Sequence, residues 1–129
     1  MVIDTSALAA ILFREPERQK FLHAIVSDAR RFVSAATMLE TGMVVEARQG
    51  VAAGREFDLF AVRAGLQVVP FDAEQLELAR SAWRKYGKGR HPAGLNFGDC
   101  FSYALAKSTG ERLLAKGIDF ASTDVEMCG

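Results

Sequence analysis

An α/β fold, with a short parallel sheet sandwiched by helices, is what the sequence predicts, and three observations predict it. Short apolar segments recur along the chain at Val2-Ile3, Phe32-Val33, Gln67-Val68-Val69 and Arg112-Leu113-Leu114-Ala115. They are too short to be helices and read as strands. One or two segments of helical period separate each from the next, the pattern that βαβ crossovers leave in a sequence. The 129 residues, 50% hydrophobic and 25% charged, have the size and composition of a single domain, residues 1–129, without repeat, linker or low-complexity tract.

The elements follow in order. Val2-Ile3 runs into Asp4-Thr5-Ser6, whose short polar side chains suit the cap of a helix over Ala7 to Phe13, and a second helix is expected from Glu15 to Asp28. After Phe32-Val33, the spacing Thr37-Met38-Leu39-Glu40 fits a capping box that opens a helix to Gln49, ended by Gly50. Ala52 to Ala64 carries Phe57, Phe60 and Arg63 at helical spacing and stops at Gly65 before the strand Gln67 to Val69. Asp72 with Gln75 begins an amphipathic helix whose stripe of Leu76, Ala79, Trp83 and Tyr86 marks those residues as core, and Gly87 closes it. A loop over Gly87 to Asn96 leads to Asp99 to Lys107, apolar almost all round and therefore a buried helix. Arg112 to Ala115 is the last strand, and Lys116-Gly117-Ile118-Asp119-Phe120 is a turn beyond its C-terminal end.

Sixteen Lys and Arg balance sixteen Asp and Glu, so no global field drives the chain onto a polyanion or an anionic membrane, and any such site must be a local patch. Cys100 and Cys128 have neither metal-binding nor disulfide-framework spacing and are expected to be free thiols in a reducing compartment. The opening Met1-Val2-Ile3-Asp4 lacks the basic start of a secretory leader, and the apolar run Ala7 to Phe13 falls far short of the roughly 20 residues that span a bilayer. A cytoplasmic protein with no membrane partner is the expectation.

Ligands of open parallel sheets bind at the C-terminal ends of the strands. That rule selects Asp4, the start of the Glu40 helix, and Asp119. Each acid also has an ordinary structural role, Asp4 as a helix cap, Glu40 as the far member of a capping box, and Asp99 as a first-turn acid favoured by the helix dipole. Glu40 is followed by Met43 and Val44 on its own face, and Asp99 opens an apolar helix, so both are expected to be partly buried. Carboxylates gathered in a partly buried place repel one another unless a cation holds them, and an all-oxygen set suits Mg²⁺ or Mn²⁺. His23 and His91 stand alone, which gives zinc no ligand pattern. A divalent ion in such a cup activates water and stabilises charge on a phosphate oxygen, the chemistry of a nuclease.

The blocks Met1-Val2-Ile3-Asp4-Thr5-Ser6-Ala7, the Glu40 helix, Leu95-Asn96-Phe97-Gly98-Asp99-Cys100, and Leu113 to Phe120 with Thr123-Asp124 together resemble the PIN-domain toxins of VapBC toxin–antitoxin systems. The resemblance covers essentially the whole chain. It implies a single PIN-like domain and a Mg²⁺-dependent endoribonuclease, with Mn²⁺ as a substitute. Asp4, Glu40 and Asp99 are then the acidic metal-binding and catalytic set, with Asp119 as a fourth acid and Asp124 as the alternative to it. Ser6 is implied beside the first acid, and Asn96 at the entrance to the Asp99 helix. The turn departs from the family pattern at Ile118, where a polar or acidic residue is common. A VapB-like antitoxin that covers the site, an RNA substrate and a homodimer are implied partners.

Arg84-Lys85-Tyr86-Gly87-Lys88-Gly89-Arg90-His91 is the dense basic cluster of the chain. It is either a solvated loop or a phosphate-binding segment in which Lys88 and Arg90 hold RNA. Trp83 and Tyr86, as stripe residues, are poor stacking candidates. A phosphoacceptor receiver domain needs paired acids after its first strand, and a haloacid-type phosphatase needs a second Asp two positions after the first, where Ser6 stands. The non-enzymatic alternative is a catalytically silent PIN-like module that binds RNA or protein.

Overall fold

The computed structural model describes residues 1–128. In chain order it contains β1 (Val2–Ile3), α1 (Thr5–Leu12), α2 (Arg18–Val26), β2 (Phe32–Ser34), α3 (Ala35–Gln49), α4 (Val51–Arg63), β3 (Gln67–Val69), α5 (Ala73–Tyr86), α6 (Phe97–Thr109), β4 (Leu113–Leu114) and a 3₁₀ turn at Phe120–Ser122. The strands form one parallel sheet in the order β3-β2-β1-β4. Val2 pairs with Phe32 on one side and Leu113 on the other, so β1 is a central strand. The Asp4 amide extends the ladder by donating to the Leu114 carbonyl at 3.0 Å. Residues 126–128 return along the outer edge of β4, where Leu113 donates to the Glu126 carbonyl and accepts from the Cys128 amide, both at 2.9 Å.

Successive strand residues face opposite sides of the sheet, and this alternation builds two cores. Ile3, Val33 and Leu114 enter a cluster with α1, α2, α3 and α4, including Leu8, Ile25, Val45 and Phe57. Val2 and Leu113 enter the other with α5 and α6, including Ala79, Leu95, Tyr103 and Leu105. Every strand of such a sandwich ends at the same edge, and α1, α3 and α6 gather there.

α1 begins two residues early, at Thr5, α2 is shorter than expected, Arg18–Val26, and three further expectations change at α3, α6 and α5. α3 begins at Ala35, capped by Ser34, whose hydroxyl accepts from the Ala36 amide at 3.2 Å. The Thr37–Glu40 pair therefore lies inside the helix and is no capping box; the Thr37 side chain is buried against α6 instead. α6 starts at Phe97, two residues early, because Asn96 caps it. The α5 stripe is only half core: Ala79 is buried, but Trp83 is 46% exposed and Leu76 45% exposed. Their outer edge meets the first turn of α6 across an open groove of about 660 Å³ rather than a covering element.

Burial predicts how the two kinds of apolar residue differ. Leu105→Ala should lower the unfolding free energy by about 2–5 kcal/mol, whereas Val62→Ala, 78% exposed on α4, should change it by about 0.5 kcal/mol or less. Comparable losses in chemical denaturation would contradict the two-core description.

Candidate active site

Asp4 sits where β1 turns into α1 and is buried. Its extended backbone makes it the helix cap, and Oδ2 accepts from the Ser6 amide at 3.1 Å and the Ser6 hydroxyl at 2.7 Å. Oδ1 accepts from the Ser102 hydroxyl of α6 at 2.6 Å. Capping and site membership are one arrangement here, because the positive end of α1 and three donors face the same carboxylate. Ser6 also accepts at its hydroxyl oxygen from the Lys116 amide at 2.9 Å, which ties the turn after β4 to Asp4.

Glu40 projects from α3, and its Oε1 accepts from the Thr5 hydroxyl at 2.7 Å. Thr41 places its own hydroxyl 3.1 Å from that of Thr5. The half-burial of Glu40 does not come from Met43 and Val44, which are exposed, but from Thr5 and from the first turn of α6. There a Cβ at position 98 would overlap the Glu40 carboxylate, so Gly98 is what leaves room for that carboxylate against α6. Asp99 follows directly, in a reciprocal capping box: its amide donates to Asn96 Oδ1 at 2.9 Å and its Oδ2 accepts from the Asn96 amide at 3.0 Å. Asn96 thus orients Asp99 as well as capping α6.

Burial pushes the Asp99 carboxyl up, the Asn96 amide pulls it down, and the charges of Asp4, Asp119 and Glu40 push it up again, to about 6. These four acids therefore share one electrostatic environment at the strand ends. Asp119 is exposed in the turn that follows Gly117, a residue at φ 95° that only glycine adopts readily. Asp124 is engaged elsewhere: Tyr103 donates to it at 2.6 Å and Lys107 at 3.0 Å. Of the two candidates for a fourth acid, Asp119 is the one coupled to Asp99.

Lys88 and Arg90 are exposed in the loop between α5 and α6, closed by the Lys88 amide on the Leu95 carbonyl at 2.9 Å. The Arg90 guanidinium lies 4.1 Å from the centre of the Trp83 ring. Lys88 and Asn96 border the apolar groove between α5 and α6, whose far wall is the turn that carries Asp99. The side chains that sequence reasoning missed are Thr5, Thr37, Thr41 and Ser102, a set of hydroxyls around the acids. A single serine within the apolar run of α6 was the available signal for Ser102.

Among the described residues, no three His, Cys, Asp or Glu side chains are drawn together tightly enough to ligate one ion, since Glu40 is turned onto Thr5 and Asp99 onto the Asn96 amide. The donor chemistry nevertheless fits a hard divalent cation: oxygen ligands only, and an Asp99 carboxyl pushed up by burial and then by the charges of Asp4, Asp119 and Glu40, which a cation would offset.

The PIN domain family model matches residues 1–126. Ribonuclease VapC30 of Mycobacterium tuberculosis is 54% identical over 125 residues, covering 97% of this chain and 95% of that one. The chain belongs to the PIN domain family, among its VapC ribonucleases. Two solved structures share the fold. Mycobacterium tuberculosis VapC20, described as a sarcin–ricin loop cleaving toxin, superposes with a TM-score of 0.79 at 19% identity, covering 98% of this chain and 97% of that one. The VapBC2 structure from Rickettsia felis, bound to promoter DNA, has a TM-score of 0.77 at 12% identity, covering 98% and 94%. The parallel PIN sheet accounts for the strand-end position of the acids. Among the described residues, no helix of this PIN domain is long and apolar enough to cross a membrane.

The position of Asp99 has a pH signature in the metal-free protein. Its folded value, about 6, lies above the ordinary 3.8, so folding disfavours the ionised form. The penalty is absent below about pH 4, grows as pH rises between the two values, and is complete above about pH 6. Asp99→Asn keeps an acceptor for the Asn96 amide and should stabilise the protein at pH 7 by about 1 kcal/mol, a figure reduced for solvent screening. The gain should vanish near pH 4; thermal melts of both proteins across that range test it, and a gain independent of pH would contradict the raised carboxyl of Asp99.

Proposed function

We propose that this protein is a Mg²⁺-dependent endoribonuclease, with Mn²⁺ able to substitute, and that it is the toxin of a toxin–antitoxin pair. The observation that carries the reading is the gathering of Asp4, Glu40 and Asp99 where β1, α3 and α6 meet, held by Ser102, Thr5 and Asn96, with Asp119 in the turn that Ser6 ties to Asp4. The VapC ribonuclease names of its relatives support the same activity. Asp4, Glu40, Asp99 and Asp119 would hold the ion. Bound there, a divalent cation supplies an activated water and neutralises charge that develops on phosphate during in-line displacement.

The chain's own residues hold this constellation in place. Ser6 orients Asp4 and draws in the turn bearing Asp119, Thr5 holds Glu40, and Asn96 fixes Asp99. Hydrolysis by water needs no side-chain nucleophile, and none of these residues is placed as one. Lys88 and Arg90 hold RNA phosphates, and Asn96 lines the approach. A VapB-like antitoxin opposes the activity by covering the acidic cup with complementary positive charge. The working state is a cytoplasmic homodimer.

Cleavage assays on purified protein test this reading. RNA should be cut internally with Mg²⁺ or Mn²⁺ and left intact with chelator, and Asp4→Asn should lower the rate by about two orders of magnitude or more. Asn cannot accept at both ends of the Ser6–Ser102 clamp, so this variant, unlike Asp99→Asn, should gain no stability. Lys88→Ala/Arg90→Ala should weaken RNA binding and flatten its log–log salt dependence by about 0.7 for each phosphate no longer held, with cleavage at saturating RNA far less affected. Metal-independent cleavage, or full activity in Asp4→Asn, would refute the assignment; an unchanged salt slope would remove the basic loop from the RNA path.

A further inference from the structure

Ser102 stands in the middle of α6, in a run of buried apolar neighbours that includes Tyr103, Ala104, Leu105 and Ala106. It is fully buried. A serine in such a helix ordinarily returns its proton to the carbonyl one turn back, as Thr109 does on Leu105 at 2.7 Å in this same helix. Ser102 does otherwise and donates to Asp4 Oδ1 at 2.6 Å, linking positions 98 residues apart.

Proton counting extends the link. A carboxylate only accepts, so the single hydroxyl proton of Ser102 is committed to Asp4. The 3.4 Å contact between Ser102 and Thr37 must then run from Thr37 as donor. Thr37 is also fully buried, on the first turns of α3, the helix that carries Glu40. The chain Thr37 to Ser102 to Asp4 thus joins α3, α6 and the end of β1, and a hydroxyl that accepts one hydrogen bond donates a stronger one. Oδ2 is occupied by two Ser6 donors, whereas Oδ1 receives Ser102 alone and retains acceptor capacity.

We propose that Ser102 is a positioning residue of the ribonuclease: by holding Oδ1 from the side opposite Ser6, it fixes the rotation of the Asp4 carboxylate that the divalent cation requires. This rests on the reading of Asp4 as a metal ligand. The role is positional, since Ser102 is enclosed in the core and reaches the reaction only through Asp4. Partners of a metal-binding carboxylate typically change metal affinity by about 10–100-fold when removed.

The test is Mn²⁺ binding to the metal-free protein, read from free Mn²⁺ by electron paramagnetic resonance, together with kcat and KM for RNA. Ser102→Ala should weaken Mn²⁺ binding by about tenfold or more and lower kcat while KM for RNA stays within about twofold. Ser102→Thr, which keeps the hydroxyl, should restore most of both. A merely structural serine would lower thermal stability and leave Mn²⁺ affinity and kcat within about twofold of the wild type, and that result would overturn the proposal. If Ser102→Ala does not fold, Ser102→Cys, similar in volume but a poor donor, is held to the same thresholds. A wild type that takes no Mn²⁺ overturns the metal reading itself, whereas equal binding by wild type and Ser102→Ala overturns only the part assigned to Ser102.

Discussion

One buried carboxylate, surrounded on both oxygens by hydrogen-bond donors, organises the functional edge of this protein. Asp4 terminates a central strand, caps the helix that follows, and is contacted from Ser6 on its own helix and Ser102 on α6. A carboxylate in so apolar a place is costly unless its lone pairs are satisfied. Satisfying them requires α1, α6 and, through Thr37, α3 to meet at the end of β1. The same meeting brings Glu40 and Asp99 to the sheet edge. Fold and site are therefore coupled: the contacts that make Asp4 tolerable also assemble the acids around it.

Packing and charge oppose each other at this edge. Gly98 lets the Glu40 carboxylate press against α6, and the capping box seats Asp99 one residue later, so acids from two helices and two strand ends crowd together. Burial first, and then the charges of Asp4, Asp119 and Glu40, push the Asp99 carboxyl up. Asp124, by contrast, accepts from Tyr103, pairs with Lys107 and stays outside the cluster. Like charges held at one edge of the sheet would be relieved by a bound cation, which links the stability of the protein to its proposed chemistry.

Much of this was legible in the sequence because the signals are local. Short apolar strand segments, the first two followed directly by Asp4 and Ser34, disclosed the sheet edge and pointed to Asp4, the Glu40 helix and Asp119 near it, while Asp99 was marked by the apolar helix that it opens. Local reasoning failed where a side chain serves a distant partner. Thr37 and Glu40 have the spacing of a capping box, yet Ser34 caps the helix, Thr37 turns to Ser102 and Glu40 to Thr5. Trp83 has the spacing of a core residue, but its ring lies beneath Arg90 beside the open groove between α5 and α6. Where Asp119 and Asp124 lie depends on the path of the chain after β4, which the Ser6–Lys116 bond and the Tyr103–Asp124 bond pin and no periodicity encodes.

Asp99 is where the crowding of the acids and the proposed place of a divalent cation among them can be read together. A ¹³C NMR titration of the Asp99 side-chain carboxyl, in chelator and then in saturating Mg²⁺, measures both directly. A midpoint near 6 is expected without metal, with a fall of at least about one unit in Mg²⁺. A midpoint near the ordinary 3.8, unmoved by Mg²⁺, would contradict both the shared charge and the cation site.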